Sequence, residues 1–138
     1  MRILVDSGVW IDLFAGRDTI QTRSLRLLMD SKHRLVVADL VLAEVLQGTR
    51  DRRHLDRTLA HLSAFDAIVI SGQQLVVEAA RHYQHLRRLG ITIRKTIDTL
   101  IAARCIHDNI PLLYADRDFD PFVAHLNLRS ALDDTGLN

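Results

Sequence analysis

The 138-residue sequence predicts an α/β fold, with a parallel sheet covered by helices. Two patterns carry that prediction. Short aliphatic runs alternate with longer amphipathic stretches from one end of the chain to the other. The runs also lack the polar–apolar alternation of a half-exposed strand, which is how strands buried on both faces read. No repeat, linker or low-complexity tract interrupts the alternation, so residues 1–138 read as a single domain.

Taken in order, Ile3–Val5 is the first predicted strand, and Asp6 ends it. The early helical stretches place Val9, Trp10, Leu13, Leu25, Leu28 and Met29 at amphipathic spacing, as a core face or a partner surface. Leu35–Ala38 is the second strand. The helix after it holds Glu44 on a face with Leu40, Val41, Gln47 and Gly48. Arg50-Asp51-Arg52-Arg53-His54 then begins another helix. Ala67–Ile70 is the third strand. Ser71–Leu89 is a helix, with Ser71 and Gln74 as a capping box and Gly90 as its stop. Thr96 caps the next helix, which Asn109 and Pro111 end. Leu112–Ala115 is the fourth strand, followed by Asp116. Asp120 and Pro121 read as N-cap and first residue of a last short helix. A weak fifth strand lies around Leu128.

Composition narrows the class. A chain of this length buries roughly 68–70% of its unfolded surface and needs no covalent staple. The one cysteine, Cys105, has no disulfide partner, so a reducing compartment is expected. The first apolar run is too short for a signal peptide, and no run approaches a membrane span. A cytoplasmic protein follows. The net charge of +1 excludes neither nucleic acid nor an acidic partner. The cations are sixteen arginines and only Lys32 and Lys95. Arginine suits bidentate phosphate contacts, although coding bias gives the same composition. The seven histidines form no zinc set, no glycine-rich phosphate loop is present, and no nucleophile elbow supports serine hydrolysis.

Four acids stand out by their surroundings: Asp6, Glu44, Asp98 and Asp116. Singly, each has an ordinary explanation. Asp6 can start a turn, Asp98 can favour its helix dipole, and Asp116 with Asp118 can shape a loop. Glu44 resists this, because it is the one acid in the apolar run Leu40–Leu46. In open α/β sheets, ligands bind beyond the carboxyl ends of strands. Asp6 and Asp116 follow strands, and helices starting from the same edge bring Asp98 and Glu44 towards them. Carboxylates gathered in apolar surroundings require protons or a divalent cation. A hard ion held by oxygen ligands is the simplest resolution.

The segments around these acids also resemble a known family. Val5-Asp6-Ser7-Gly8-Val9-Trp10-Ile11-Asp12, Glu44-Val45-Leu46-Gln47-Gly48, Thr96-Ile97-Asp98-Thr99-Leu100-Ile101-Ala102-Ala103 and Asp116-Arg117-Asp118-Phe119 resemble the PIN-domain ribonucleases, most closely the VapC toxins of type II toxin–antitoxin modules. The resemblance implies a three-layer α/β/α fold with four to five parallel strands. It implies Mg²⁺-dependent RNA cleavage by activated water, Mn²⁺ substituting, with 5′-phosphate and 3′-hydroxyl products. By the same resemblance Asp6, Glu44, Asp98 and Asp116 are the catalytic and metal-binding acids. Asp6 and Asp98 are the direct ligands, and Glu44 and Asp116 bind directly or through water. Ser7 and Asp118 are accessory. Gly8 stands where relatives often carry Ser or Thr, a departure expected to matter little.

The toxin resemblance further implies a small DNA-binding antitoxin and a homodimer. Arg50, Arg52, Arg53, Arg94 and Lys95 are the candidates for RNA phosphate contacts. Two other readings stay open: an RNA-processing nuclease without an antitoxin, and a non-catalytic scaffold whose acids bind a metal or a basic partner. A phosphatase of the haloacid-dehalogenase type fits less well, because the first strand ends in Asp6-Ser7-Gly8 and not Asp-x-Asp.

Overall fold

The computed structural model describes residues 1–135 and contains, among them, four strands and eight helices. The strands β1 (Arg2–Val5), β2 (Arg34–Ala38), β3 (Asp66–Ile68) and β4 (Leu112–Leu113) form one parallel sheet in the order β3-β2-β1-β4. Ile3 faces Leu35 and Leu4 faces Leu112 across the central ladders. Ile3, Leu4, Val5, Val36, Leu112 and Leu113 are fully buried. Removing each such side chain from water contributes about 1.5–3 kcal/mol, which fixes this register firmly.

The order of strands decides where a ligand belongs. From β1 the chain moves outward through α1 (Ser7–Phe14), α2 (Ile20–Met29), β2, α3 (Asp39–Gln47) and α4 (Arg52–Leu62) to β3. It then returns past β2 and β1, through α5 (Gln73–Arg88) and α6 (Thr96–Asp108), to β4. Right-handed crossovers running in opposite directions place these two helix groups on opposite faces of the sheet. The direction reverses between β1 and β4, and the crevice at their carboxyl ends is the switch point where such sheets bind ligands. Asp6 follows β1 and Asp116 follows β4. Only Asn109–Pro111 separate α6 from β4, so α6 ends at the opposite edge and starts at the carboxyl edge. That start carries Asp98.

Several local expectations fail for identifiable reasons. The third strand is Asp66–Ile68, shorter than Ala67–Ile70, and it is partly exposed, because it lies at the sheet edge with β2 as its neighbour. The fourth stops at Leu113, two residues early. The fifth shrinks to a single bridge between Leu112 and Ser130.

Three helix starts also differ from the prediction. Ser71 and Gln74 form no capping box: Gly72, with φ 129°, is the N-cap of α5, and the Ser71 hydroxyl donates to Asp39 instead at 3.3 Å. A capping box does form at α2, between Thr19 and Thr22. Thr96 is the first residue of α6 and not its cap; Lys95 precedes it, and Asp98 is the third residue. Asp120 and Pro121 sit one position further in, at the first and second residues of α7 (Asp120–His125), and a further turn, α8 (Ala131–Asp134), follows. The predicted stops hold: Asn109 adopts φ 54° after α6, and Gly90 adopts φ 83° after α5.

The early helices divide differently from the list of apolar residues read from the sequence. Val9, Trp10, Leu25 and Leu28 are core, with Trp10 packed on Phe65 at 5.2 Å between ring centroids. Met29 remains exposed, joined on α1, α2 and α4 by Ile11, Phe14, Ile20, Leu27 and Leu59.

Candidate metal centre

Asp6 sits at the N-cap of α1, just after β1, and is tied to β4 because its own amide donates to the Leu113 carbonyl at 2.9 Å. It is 5% exposed, and its Oδ1 has no hydrogen-bond partner. Burial is the main force on its carboxyl, pushing the pKa from 3.8 up to about 7. The charge of Asp98 adds to the rise and Glu44 adds a little, against the opposing amides of Ser7 and Gly8. Burial therefore outweighs the favourable helix N-terminus at this position.

Asp98 repeats the pattern on the opposite helix layer. It is 4% exposed, its Oδ2 is unpartnered, and its pKa rises to about 6. Burial leads again, followed by the charge of Asp116. Lys95 opposes, while Glu44 and Asp118 reinforce. Asp98 thus feels Asp116, Glu44 and Asp118, and its own charge acts on Asp6.

Glu44, half-buried on α3, accepts a hydrogen bond from the Ser7 hydroxyl at 3.1 Å. That contact spans 37 residues and ties α1 to α3 across the pocket. Ser7 is the first residue of α1, and its hydroxyl is turned to Glu44. Asp116 precedes a 3₁₀ turn at Arg117–Phe119, and its Oδ1 accepts the Asp118 amide at 2.9 Å. Asp118 is half-buried, and its carboxylate meets the Arg94 guanidinium at 3.1 Å. Carboxylate oxygens of Asp98, Asp116 and Asp118 lie within 4.8 Å of one another.

The four predicted acids therefore meet at one rim, but not as an even quartet. Asp98, Asp116 and Asp118 form the tight cluster, while Asp6 and Glu44 stand outside it, close enough for Asp6 to feel Asp98 and for Asp98 to feel Glu44. Asp118, read from the sequence as accessory, stands among the closest acids. Gly8 leaves room for a side chain: a Cβ there would lie 3.8 Å from Asp6 Oδ2, an ordinary contact.

The RNA-contact candidates divide. Arg94 and Lys95 flank the acids in sequence and space. Arg50, Arg52 and Arg53 are exposed, and Arg52 and Arg53 line a shallow hollow with Asp56, Arg57 and Ala60 that includes none of the four acids. Sequence reasoning missed the Arg94–Asp118 pair, which joins residues 24 apart and has no local signature. It also missed the Tyr114 hydroxyl, which donates to Asp120 at 2.8 Å beside the turn.

The donor set suits a hard divalent cation. Every candidate ligand is a carboxylate oxygen, and Mg²⁺ and Mn²⁺ prefer such ligands. Two buried carboxylate oxygens without partners are the local cost of keeping the pocket open to one. Zinc would want nitrogen or sulfur ligands that this cluster lacks.

The sequence pattern of the PIN domain matches residues 3–122. The VapC ribonuclease Mb1587 of Mycobacterium bovis is 30% identical over 136 residues, covering 94% of this chain and 97% of the relative. Among solved structures, VapBC2 from Rickettsia felis, bound to a DNA fragment from its promoter, aligns with TM-score 0.75 at 20% identity over 94% of this chain and 97% of that one. A toxin–antitoxin complex from Klebsiella pneumoniae aligns with TM-score 0.68 at 23% identity over 93% and 96%.

Proposed function

This chain belongs to the PIN-domain family, and from that premise we propose that it is a Mg²⁺-dependent endoribonuclease serving as the toxin of a type II toxin–antitoxin pair. One observation carries the metal-dependent part: buried acids converge at the switch-point rim with two carboxylate oxygens unpartnered. A structural cluster of acids would pair them with cations. Here Asp118 meets Arg94, but Asp6 Oδ1 and Asp98 Oδ2 have no partner.

Asp98, Asp116 and Asp118 would hold the ion, with Asp6 and Glu44 completing the acidic wall. When bound, such an ion neutralises charge on the scissile phosphate and favours ionisation of an attacking water. The chain's own residues prepare that chemistry. Ser7 fixes the Glu44 carboxylate by donating to Oε1, and the Asp118 amide fixes Asp116. With Asp6 raised to about 7 and Asp98 to about 6, protons compete with a cation for these carboxylates as pH falls below neutrality, because only ionised carboxylates ligate. Arg94 and Lys95 stand at the mouth for phosphate contacts, with Arg50, Arg52 and Arg53 further along the surface.

The partner reading rests on the exposed apolar side chains of α1, α2 and α4, with Ile11, Phe14, Ile20, Leu27, Met29 and Leu59 among them. These suit the apolar face of a small DNA-binding antitoxin, and an arginine or lysine from it could enter the acidic pocket. A symmetric homodimer and a cytoplasmic location complete the proposal. No helix among the described residues is long and apolar enough to cross a membrane.

The test is cleavage of a structured RNA by purified protein after EDTA treatment. Activity should vanish, return with Mg²⁺ or Mn²⁺, and not return comparably with Ca²⁺. Restoration by Zn²⁺ alone would overturn the assignment.

A further inference from the structure

The contact between Arg94 and Asp118 is an unusual place to spend an arginine. Asp118 belongs to the tight acidic cluster, yet both its oxygens already face a guanidinium. Arg94 Nε donates to Oδ2 at 3.3 Å, and Nη2 donates to Oδ2 at 3.1 Å and Oδ1 at 3.4 Å. These distances exceed the roughly 2.7–2.9 Å of a strong charge-assisted pair. The Arg94 side chain is also 76% exposed while that of Asp118 is 22% exposed, so water and salt compete with the contact from the arginine's side.

Such a loose pair has two properties that a tight one lacks. It satisfies Asp118 while no other cation is near, which limits repulsion with Asp98 and Asp116. It also yields readily to a better ligand. A guanidinium cannot lose its proton to make way, so a divalent ion that takes Asp118 must displace it or share the carboxylate with it. Arg94 lies two residues before α6, on a long flexible side chain at the mouth of the pocket. A displaced guanidinium there carries a planar fork of donors suited to a phosphate.

We propose that Arg94 is a substrate-binding residue that rests on Asp118 in the metal-free site and transfers to a backbone phosphate of the RNA when a divalent cation enters. The proposal rests on the nuclease reading and adds an exchange step to it: one internal cation leaves a carboxylate as an external one arrives. The freed arginine then couples cation binding to substrate binding. Metal should accordingly tighten RNA binding more in the parent protein than in a variant lacking the guanidinium.

The experiment uses the full chain with Arg94→Gln and Arg94→Lys. Mn²⁺ affinity is read directly by electron paramagnetic resonance or calorimetry, without RNA. Arg94→Gln should bind Mn²⁺ about two- to fivefold tighter, the size of change expected on losing an exposed ion-pair competitor. Arg94→Lys, which keeps the charge but loses the fork, should fall between it and the parent. In Ca²⁺, Arg94→Gln should bind a short RNA more weakly, with the slope of log affinity against log salt reduced by about 1. Unchanged or weaker Mn²⁺ binding in Arg94→Gln would overturn the resting contact. Tighter Mn²⁺ binding with an unchanged RNA salt slope would overturn the transfer. Loss of RNA cleavage by the parent under all metals would instead refute the nuclease reading, leaving the Mn²⁺ comparison to judge the resting contact separately.

Discussion

The two ends of α6 carry two aspartates ten residues apart, and they live under opposite rules. Asp108, in the last turn, sits where the helix dipole disfavours an acid. It is nevertheless well provided for: Arg104 donates to it at 2.6 Å, Arg2 approaches to 3.9 Å, and His107 lies at 3.8 Å. Asp98, in the first turn, has the favourable dipole. Its Oδ2 has no partner, and its nearest strong influence is another carboxylate. The helix end that ought to stabilise an acid holds the strained one. A fold under selection for stability alone would reverse this, so the difference separates structural charge from charge held ready for a ligand.

The comparison breaks most sharply under substitution by asparagine at Asp98, with Asp6 as a second instance. RNA cleavage by Asp98→Asn or Asp6→Asn should fall by more than about 100-fold, beyond the usual cost of losing a supporting partner of a metal ligand. Both variants should fold with undiminished thermal stability in EDTA. Activity within threefold of the parent, measured on one RNA at saturating Mg²⁺, would remove these residues from the site.

A second effect concerns pH. The Asp6 pKa rises from 3.8 to about 7, so the folded chain holds a proton that the unfolded chain has released. Stability from this group is therefore fully present below the unfolded value and is lost as pH rises through the folded one. Asp98, raised to about 6, acts in the same direction. In EDTA, the gap in melting temperature between Asp6→Asn and the parent should be small near pH 4 and open in favour of the variant by pH 8. Mg²⁺ should narrow the gap at pH 8 by stabilising the parent more than the variant, because an ionised Asp6 adds to the acidic wall that attracts the ion. A gap independent of pH would mean that Asp6 is not a protonated, desolvated group.

Much of this organisation is legible in one sequence, and the remainder is long-range. The central strands read correctly because residues buried on both faces leave unbroken aliphatic runs, as in Ile3–Val5 and Leu35–Ala38. The acids could be singled out because each stands at the boundary of such a run or within one. What stayed hidden depends on neighbours far along the chain. Ser71 looked like a cap until Asp39, 32 residues earlier, offered its hydroxyl another acceptor. Spacing picked out Val9, Trp10, Leu25 and Leu28 together with Met29 but could not say whether they were core or partner surface, since only the packing of α1 on α2 and α3 decides which face turns inward. Asp118 looked secondary because its closeness to Asp98 comes from tertiary structure, not from spacing.

The smallest effect lies at the other end of α6 and sharpens the contrast. Asp108→Asn keeps size and hydrogen-bonding capacity but removes the charge that Arg104 and Arg2 face. Its side chain is 19% exposed and Arg104 is 26% exposed, so solvent screens part of the interaction. The expected loss is about 1 kcal/mol, the upper range for a partly exposed pair, seen as a lower denaturation midpoint with an unchanged slope. Arg104 would still donate to the Val69 carbonyl at 2.8 Å, so the helix should stay anchored to the segment after β3. RNA cleavage and Mn²⁺ affinity should match the parent, because Asp108 lies at the opposite edge of the sheet from Asp98. The two substitutions thus predict opposite pairs of outcomes: activity lost with stability kept at Asp98, and stability lost with activity kept at Asp108. A fall in Mn²⁺ affinity on replacing Asp108 would show that the two ends of α6 are coupled, and the division between structural and ligand-ready charge would then fail.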